Sequence, residues 1–195
     1  MRFYPENGPV PAELRTPDFL LRMLRATDVE LDYDAVMASQ EMLLVKSGGR
    51  WPVAGFSLVD NLKDLQQHEQ DHQERTSFTY TVMNPTETEC LGCVYIRPLA
   101  KLLEYVGARE ALATVGDDEA EVRFWIRQDR LETGLEARLF ESLRAWFAHE
   151  WTFSRVVYCV NANEARQRQI FEAAGLQPLF NVTHAERSVT YCLYV

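Results

Sequence analysis

The chain has 195 residues, 47% of them hydrophobic and 25% charged, an ordinary composition for a globular protein long enough to bury one substantial core. Its formal net charge of −9 argues against general nucleic-acid binding, because gripping phosphates needs a basic surface. No apolar run approaches a membrane span and residues 1–11 lack the apolar core of a signal peptide, so a cytoplasmic protein without a membrane partner is expected. In that compartment Cys90, Cys93, Cys159 and Cys192 stay reduced.

Residues 1–18 carry Pro5, Pro9, Pro11 and Pro17 without a period and read as an irregular arm ahead of one domain over 19–195. Phe19 to Leu24 is the first expected strand. Thr27 and Glu30 have capping-box spacing, and Val29, Tyr33, Val36, Met37 and Leu44 mark a helix that Ser47-Gly48-Gly49 ends. A polar helix from about Leu58 to Glu74 follows Trp51-Pro52. Ser77 to Met83 and Leu91 to Ile96 read as paired strands across Asn84-Pro85, and Lys101 to Asp118 as a long connection with some helical character.

From Glu121 the pattern is clearest. Val122, Phe124 and Ile126 alternate with Glu121, Arg123, Trp125 and Arg127, the period of a half-buried strand. Leu135, Leu139, Phe140, Leu143, Trp146 and Phe147 then share one helical face. Arg155 to Val160 is a short apolar strand of the kind covered on both faces. Asn161 with Glu164 has the spacing of an N-cap box, Gly175 stops the following helix, and Leu179-Phe180 and Val189 to Val195 supply closing strands. A helix that emerges straight from a strand aims unpaired backbone N–H groups at whatever lies above the sheet, a candidate anion cradle.

This order of elements resembles the GNAT superfamily of acyl-CoA-dependent N-acetyltransferases over roughly residues 19–195. Local phrases agree: Leu20-Leu21-Arg22 with Ala26-Thr27-Asp28, Leu91-Gly92-Cys93-Val94, Ala120-Glu121-Val122, and Ile170-Phe171-Glu172-Ala173-Ala174-Gly175-Leu176. The resemblance implies a single-domain α/β/α fold around a mixed, mostly antiparallel sheet. It implies acetyl-CoA or another acyl-CoA as co-substrate, no metal, and a small-molecule or peptide amine that attacks the thioester directly. A homodimer stays open.

In that family an arginine/glutamine-x-x-glycine-x-glycine/alanine turn holds the coenzyme A pyrophosphate on its backbone N–H groups. The turn falls here on Leu131, Glu132, Thr133, Gly134, Leu135 and Glu136, with Ile126 and Arg127 leading into it, and only Gly134 keeps the pattern. Thr133 and Glu136 also have the spacing of a capping box that would satisfy the helix start internally. Glu121 matches the general base of some histone-acetylating members; the plain alternative is a solvated or salt-bridged glutamate beside Arg123. Asn163 is the nearest match to an asparagine that touches the pantetheine arm. Phe171 stands where the family has a proton-donating tyrosine, and a phenyl ring donates none. These departures carry an alternative: a GNAT-fold protein that binds a ligand or partner without catalysis.

Two motifs point elsewhere. His68-Glu69-Gln70-Asp71-His72 is a literal H-E-x-x-H string, but its polar surroundings predict a solvated helix face rather than a zinc site. Cys90-Leu91-Gly92-Cys93 enters a strand instead of opening a helix, so all four cysteines are expected as small core residues.

Overall fold

The computed structural model describes residues 3–195, so Met1 and Arg2 lie outside the described residues. Its strands are β1 (Glu13–Arg15), β2 (Leu20–Met23), β3 (Phe78–Met83), β4 (Cys90–Pro98), β5 (Glu119–Ile126), β6 (Arg155–Asn161), β7 (Pro178–His184) and β8 (Val189–Tyr194). They form one sheet in the order β1-β2-β3-β4-β5-β6-β8-β7. Only β5 and β6 pair in parallel; every other neighbouring pair is antiparallel. The helices are α1 (Val29–Met37), α2 (Gln40–Lys46), α3 (Leu58–Gln73), α4 (Leu99–Val106), α5 (Arg109–Leu112), α6 (Leu135–Glu150) and α7 (Ala165–Ala173). This is the expected α/β fold with a mixed, mostly antiparallel sheet.

The alternation in β5 sorts the layers. Ala120, Val122, Phe124 and Ile126 meet Leu135, Leu139, Phe140 and Leu143 of α6 and Phe171 of α7 on one face. Trp125 faces the other way and packs with Val36, Leu43 and Leu65 of α1, α2 and α3. Farther along that second face, Leu99 and Leu103 of α4 cover Val157, Cys159 and Leu193. The strand is therefore buried on both sides rather than half-buried, and Glu121 is as hidden as Trp125, each 2% exposed.

Other elements depart from expectation for local reasons. Glu13–Arg15 pairs with β2 as an edge strand, and Phe3 and Tyr4 are buried against Phe78, so part of the arm is built into the domain. The helix expected to run through Leu44 breaks at Ala38 and Ser39, where the Ser39 hydroxyl accepts the Gln128 N–H at 3.0 Å. No capping box forms at Thr27 and Glu30. A short 3-10 turn, Ala26–Asp28, precedes α1, and Asp28 grips Arg22 instead at 2.8 Å.

The feature that positions the site is a divergence. β5 and β6 are paired only from Glu119 to Val122 against Arg155 to Tyr158. Beyond that, β5 follows β4 to Ile126 while β6 follows β8 to Asn161. The far half of β5 is left without a strand on that side.

Gly92 keeps β4 close to β5. Its φ is +152°, and an added Cβ would meet the Trp125 carbonyl oxygen at 2.0 Å. Gly92→Ala is expected to lower stability by about 2–3 kcal/mol, since a backbone neighbour cannot swing aside. Equilibrium denaturation checks this; an unchanged midpoint would remove the close-approach argument.

Candidate active site

With no strand beside it, the Phe124 carbonyl is satisfied by a side chain. Gln167 of α7, 2% exposed, donates Nε2 to Phe124 O and to Glu136 Oε1, both at 3.1 Å. Its Oε1 accepts from Lys46 Nζ at 3.0 Å, and the same ammonium meets Glu164 Oε1 at 2.5 Å. Beyond Glu136, Arg166 donates to Glu136 Oε2 at 3.2 Å, to Glu132 Oε1 at 2.7 Å and to the Leu131 carbonyl. A hydrogen-bonded chain thus runs through the gap in the sheet, from α2 on one face to the turn at Gly134 on the other.

The turn is built differently from the expected capping box. Gly134 takes the cap position with φ +74°, and α6 has no side-chain cap. Thr133, one residue too early, donates its hydroxyl to Arg130 O at 2.6 Å and accepts the Leu135 N–H at 3.3 Å. Glu136 turns inward to Gln167 and Arg166, and burial raises its pKa against the pull of Lys46 and Arg166. Leu131 and Leu135 pack on the core beside the turn, while Glu132 is exposed.

The other candidates scatter. Ile126 is core. Arg127 is buried and held to Asp34 of α1 at 2.5 Å and to Asp129 at 3.2 Å. Asn163 is exposed, its backbone N–H bonded to Asn161 Oδ1 at 3.0 Å; Glu164 Oε2 accepts the Asn161 N–H at 2.9 Å. Glu121 lies on the α1–α4 face and is ion-paired with Arg123. Of that pair, only Arg123 lines the cavity described next.

That cavity, about 340 Å³, lies over β4 and β5 beneath α1, α2 and α3, with Cys93, Tyr95 and Trp125 on its floor. Lys46 lines it too, which joins it to the chain through the sheet. Asp32, 4% exposed, forms an inner wall and accepts from Asn61 Nδ2 at 2.9 Å. The Cys93 and Cys90 thiols approach its Oδ1 at 3.6 and 4.0 Å. Burial pushes the Asp32 pKa up to about 6. The four cysteines are buried and free.

The H-E-x-x-H helix turns its histidines toward the sheet. His72 is buried, its Nδ1–H donating to Thr79 O at 3.2 Å between the rings of Phe78 and Tyr80. His68 Nδ1 shares a 3.2 Å hydrogen bond with the Thr79 hydroxyl and borders the cavity. The expected solvated face fails because the inward stripe of α3 is itself polar: Asn61, Leu65 and His72 are buried and His68 is half-buried, at helical spacing. Among the described residues no group of His, Cys, Asp and Glu is arranged to hold a metal.

No family profile matches the sequence, and no curated protein matches it. Solved structures do. Apo RimL, a ribosomal L7/L12 alpha-N-protein acetyltransferase, superposes with TM-score 0.71 at 14% identity, covering 96% of this chain and 98% of that one. The microcin C7 self-immunity acetyltransferase MccE, solved with acetyl-CoA and AMP, gives 0.71 at 12%, covering 95% and 96%. A GNAT-family acetyltransferase from Bacillus anthracis gives 0.67 at 11%, covering 93% and 96%. The fold is the GNAT fold.

Sequence reasoning missed Asp32, Asn61, Arg166 and Gln167. Asp32 did leave a signal, a carboxylate on the apolar stripe of Val29 and Val36. Arg166 and Gln167 left none, being more than 25 residues from the turn they reach.

Burial holds His68 and His72 down at about 4. Their stability contribution is present above about pH 6.5 and is lost as pH falls toward 4. Asp32 acts in reverse: its contribution is full below about pH 4 and lost as pH rises through about 6. His72→Gln is therefore expected to flatten the fall in Tm between about pH 6.5 and pH 4.5. Thermal unfolding across that range tests it, and an unchanged slope would show that His72 is not held neutral.

Proposed function

We propose that this protein is an N-acyltransferase that moves an acetyl or other acyl group from acyl-CoA to a primary amine by direct attack on the thioester. The observation that carries the reading is the gap between β5 and β6, with the uncapped start of α6 on one side and the buried polar cavity on the other. The likeness in fold to acetyltransferases supports it.

The donor set of the turn fits a pyrophosphate once the pairings of Arg166 are exchanged. Past the Leu135 N–H, which Thr133 accepts, the start of α6 offers backbone N–H groups without a side-chain cap, which favours an anion. Residues Leu131 to Glu136 form the cradle, with Ile126 and Arg127 leading in and Asn163 on the loop before α7. Arg166 bridges Glu132 and Glu136 here; turned to a phosphate, its fork geometry suits that partner equally. Acyl-CoA supplies the acyl group already activated as a thioester. Gln167 and Lys46 fill the gap between turn and cavity, so the acyl arm would displace their contacts to reach the amine.

Glu121 enters this reading as a positioning group. Its carboxylate is buried against Arg123, and Arg123 stands between it and the cavity. The alternative, a GNAT-fold binding protein without catalysis, is favoured by Gln167, which fills the gap beside Phe124 with the chain's own side chain.

Calorimetric titration with acetyl-CoA is expected to show binding, and Glu136→Gln to tighten it several-fold by removing a carboxylate that repels the phosphates. No heat and no rise in Tm at about 1 mM acetyl-CoA would leave the non-catalytic reading. In turnover assays on an amine panel, Glu121→Gln is expected to lower kcat by about tenfold at most. A loss of about a hundredfold or more would make Glu121 the general base instead.

A further inference from the structure

The cavity over β4 and β5 keeps charge of both signs that the protein does not pair internally. Lys46 is matched by Glu164 and Arg123 by Glu121. Arg97, on the cavity wall, stands opposite Glu121 in the β4–β5 register, but that carboxylate is committed to Arg123. Among the described residues no ion pair joins Arg97 to an acid; its guanidinium lies over the Tyr95 ring at 5.1 Å.

The opposite wall, on α1 and α3, holds acceptors. Asp32 is buried there, and Asn61, 1% exposed, has a buried Oδ1 with no hydrogen-bond partner among the described residues. Asp64 adds a second carboxylate toward the rim, where Trp51 Nε1 donates to it at 3.3 Å. An unpartnered buried carbonyl next to a carboxylate calls for a donor with several N–H groups. An ammonium has three and carries the complementary charge.

We infer that this cavity holds a small amino acid as its zwitterion, with the ammonium against Asp32 and the Asn61 carbonyl and the carboxylate against Arg97. A cavity of about 340 Å³ suits a compact molecule of that class. The half-buried guanidinium, without an acid of its own, selects a free carboxylate over the amide of a continuing peptide chain. The inference deepens the acyltransferase reading and rests on it for the fate of the amine. Binding itself requires no acyl-CoA.

The test is a calorimetric titration of the full chain, without acyl-CoA, against the standard amino acids, β-alanine and 4-aminobutyrate at up to about 10 mM. At least one is expected to bind. Its methyl ester, which lacks the carboxylate, and its N-acetyl derivative, which lacks the ammonium, are each expected to bind about tenfold more weakly or worse. Arg97→Met, at a partly exposed strand position, should weaken the free acid by a similar factor and abolish its advantage over the ester. Asn61→Leu should weaken the free acid and leave the N-acetyl derivative unchanged. No binding by any member of the panel, or an ester that binds as tightly as its acid, overturns the inference. An amino acid that binds a protein deaf to acetyl-CoA would sustain this inference and sink the transferase. The converse result would sink this inference alone.

Discussion

The parallel pairing of β5 with β6 ends after four residues on each strand, and the remaining structure of the site is a response to that ending. A strand that loses its neighbour exposes backbone groups that must be satisfied, because an unpaired buried carbonyl is costly. Here the Phe124 carbonyl is met by Gln167, and Gln167 is fixed in turn by Glu136 on one side and Lys46 on the other. Each partner is itself paired, Glu136 with Arg166 and Lys46 with Glu164. The network crosses the sheet with little polar capacity left over, so it both closes the gap and ties α2, α6 and α7 together. A ligand that passes through the gap has to exchange these contacts one for one.

The two faces of the sheet differ in what they bury. The face under α6 and α7 is largely aromatic, with Phe124 stacked on Phe140 and Tyr158 and Phe171 meeting them edge-on or tilted. The face under α1 and α3 buries Asp32, Asn61 and His72 and half-buries His68 at the cavity edge. Burial drives all three titratable groups of that set toward their neutral forms. Such a face is an expensive way to make a core and an effective way to line a binding site, since groups stripped of water respond strongly to a matching ligand.

Much of the architecture was legible in the residues. The switch from alternation at Val122, Phe124 and Ile126 to helical spacing at Leu135, Leu139 and Phe140 marked the strand and helix that became β5 and α6. The expectations that failed were those that took local spacing as sufficient. Thr133 and Glu136 have the separation of a capping box, but Gly134 entered a left-handed conformation and Glu136 found better partners on α7. The histidines of the H-E-x-x-H string lie among glutamines in sequence, yet the helix turns them inward onto Thr79, Phe78 and Tyr80. Periodicity detects apolar stripes; it is blind to a buried stripe made of polar residues.

The sequence by itself determined most of the succession of strands and helices, above all the strand, helix and strand that became β5, α6 and β6, and the glycine of the candidate turn. All of these are properties of neighbours along the chain, written in backbone preference and side-chain period. Only the tertiary structure decided which side chains share a site. Gln167 meets Phe124 across 43 residues, Lys46 meets Glu164 across 118, and Asn61 meets Asp32 across 29. Those meetings depend on where the sheet splits and how far each helix rotates over it, and no local pattern records either.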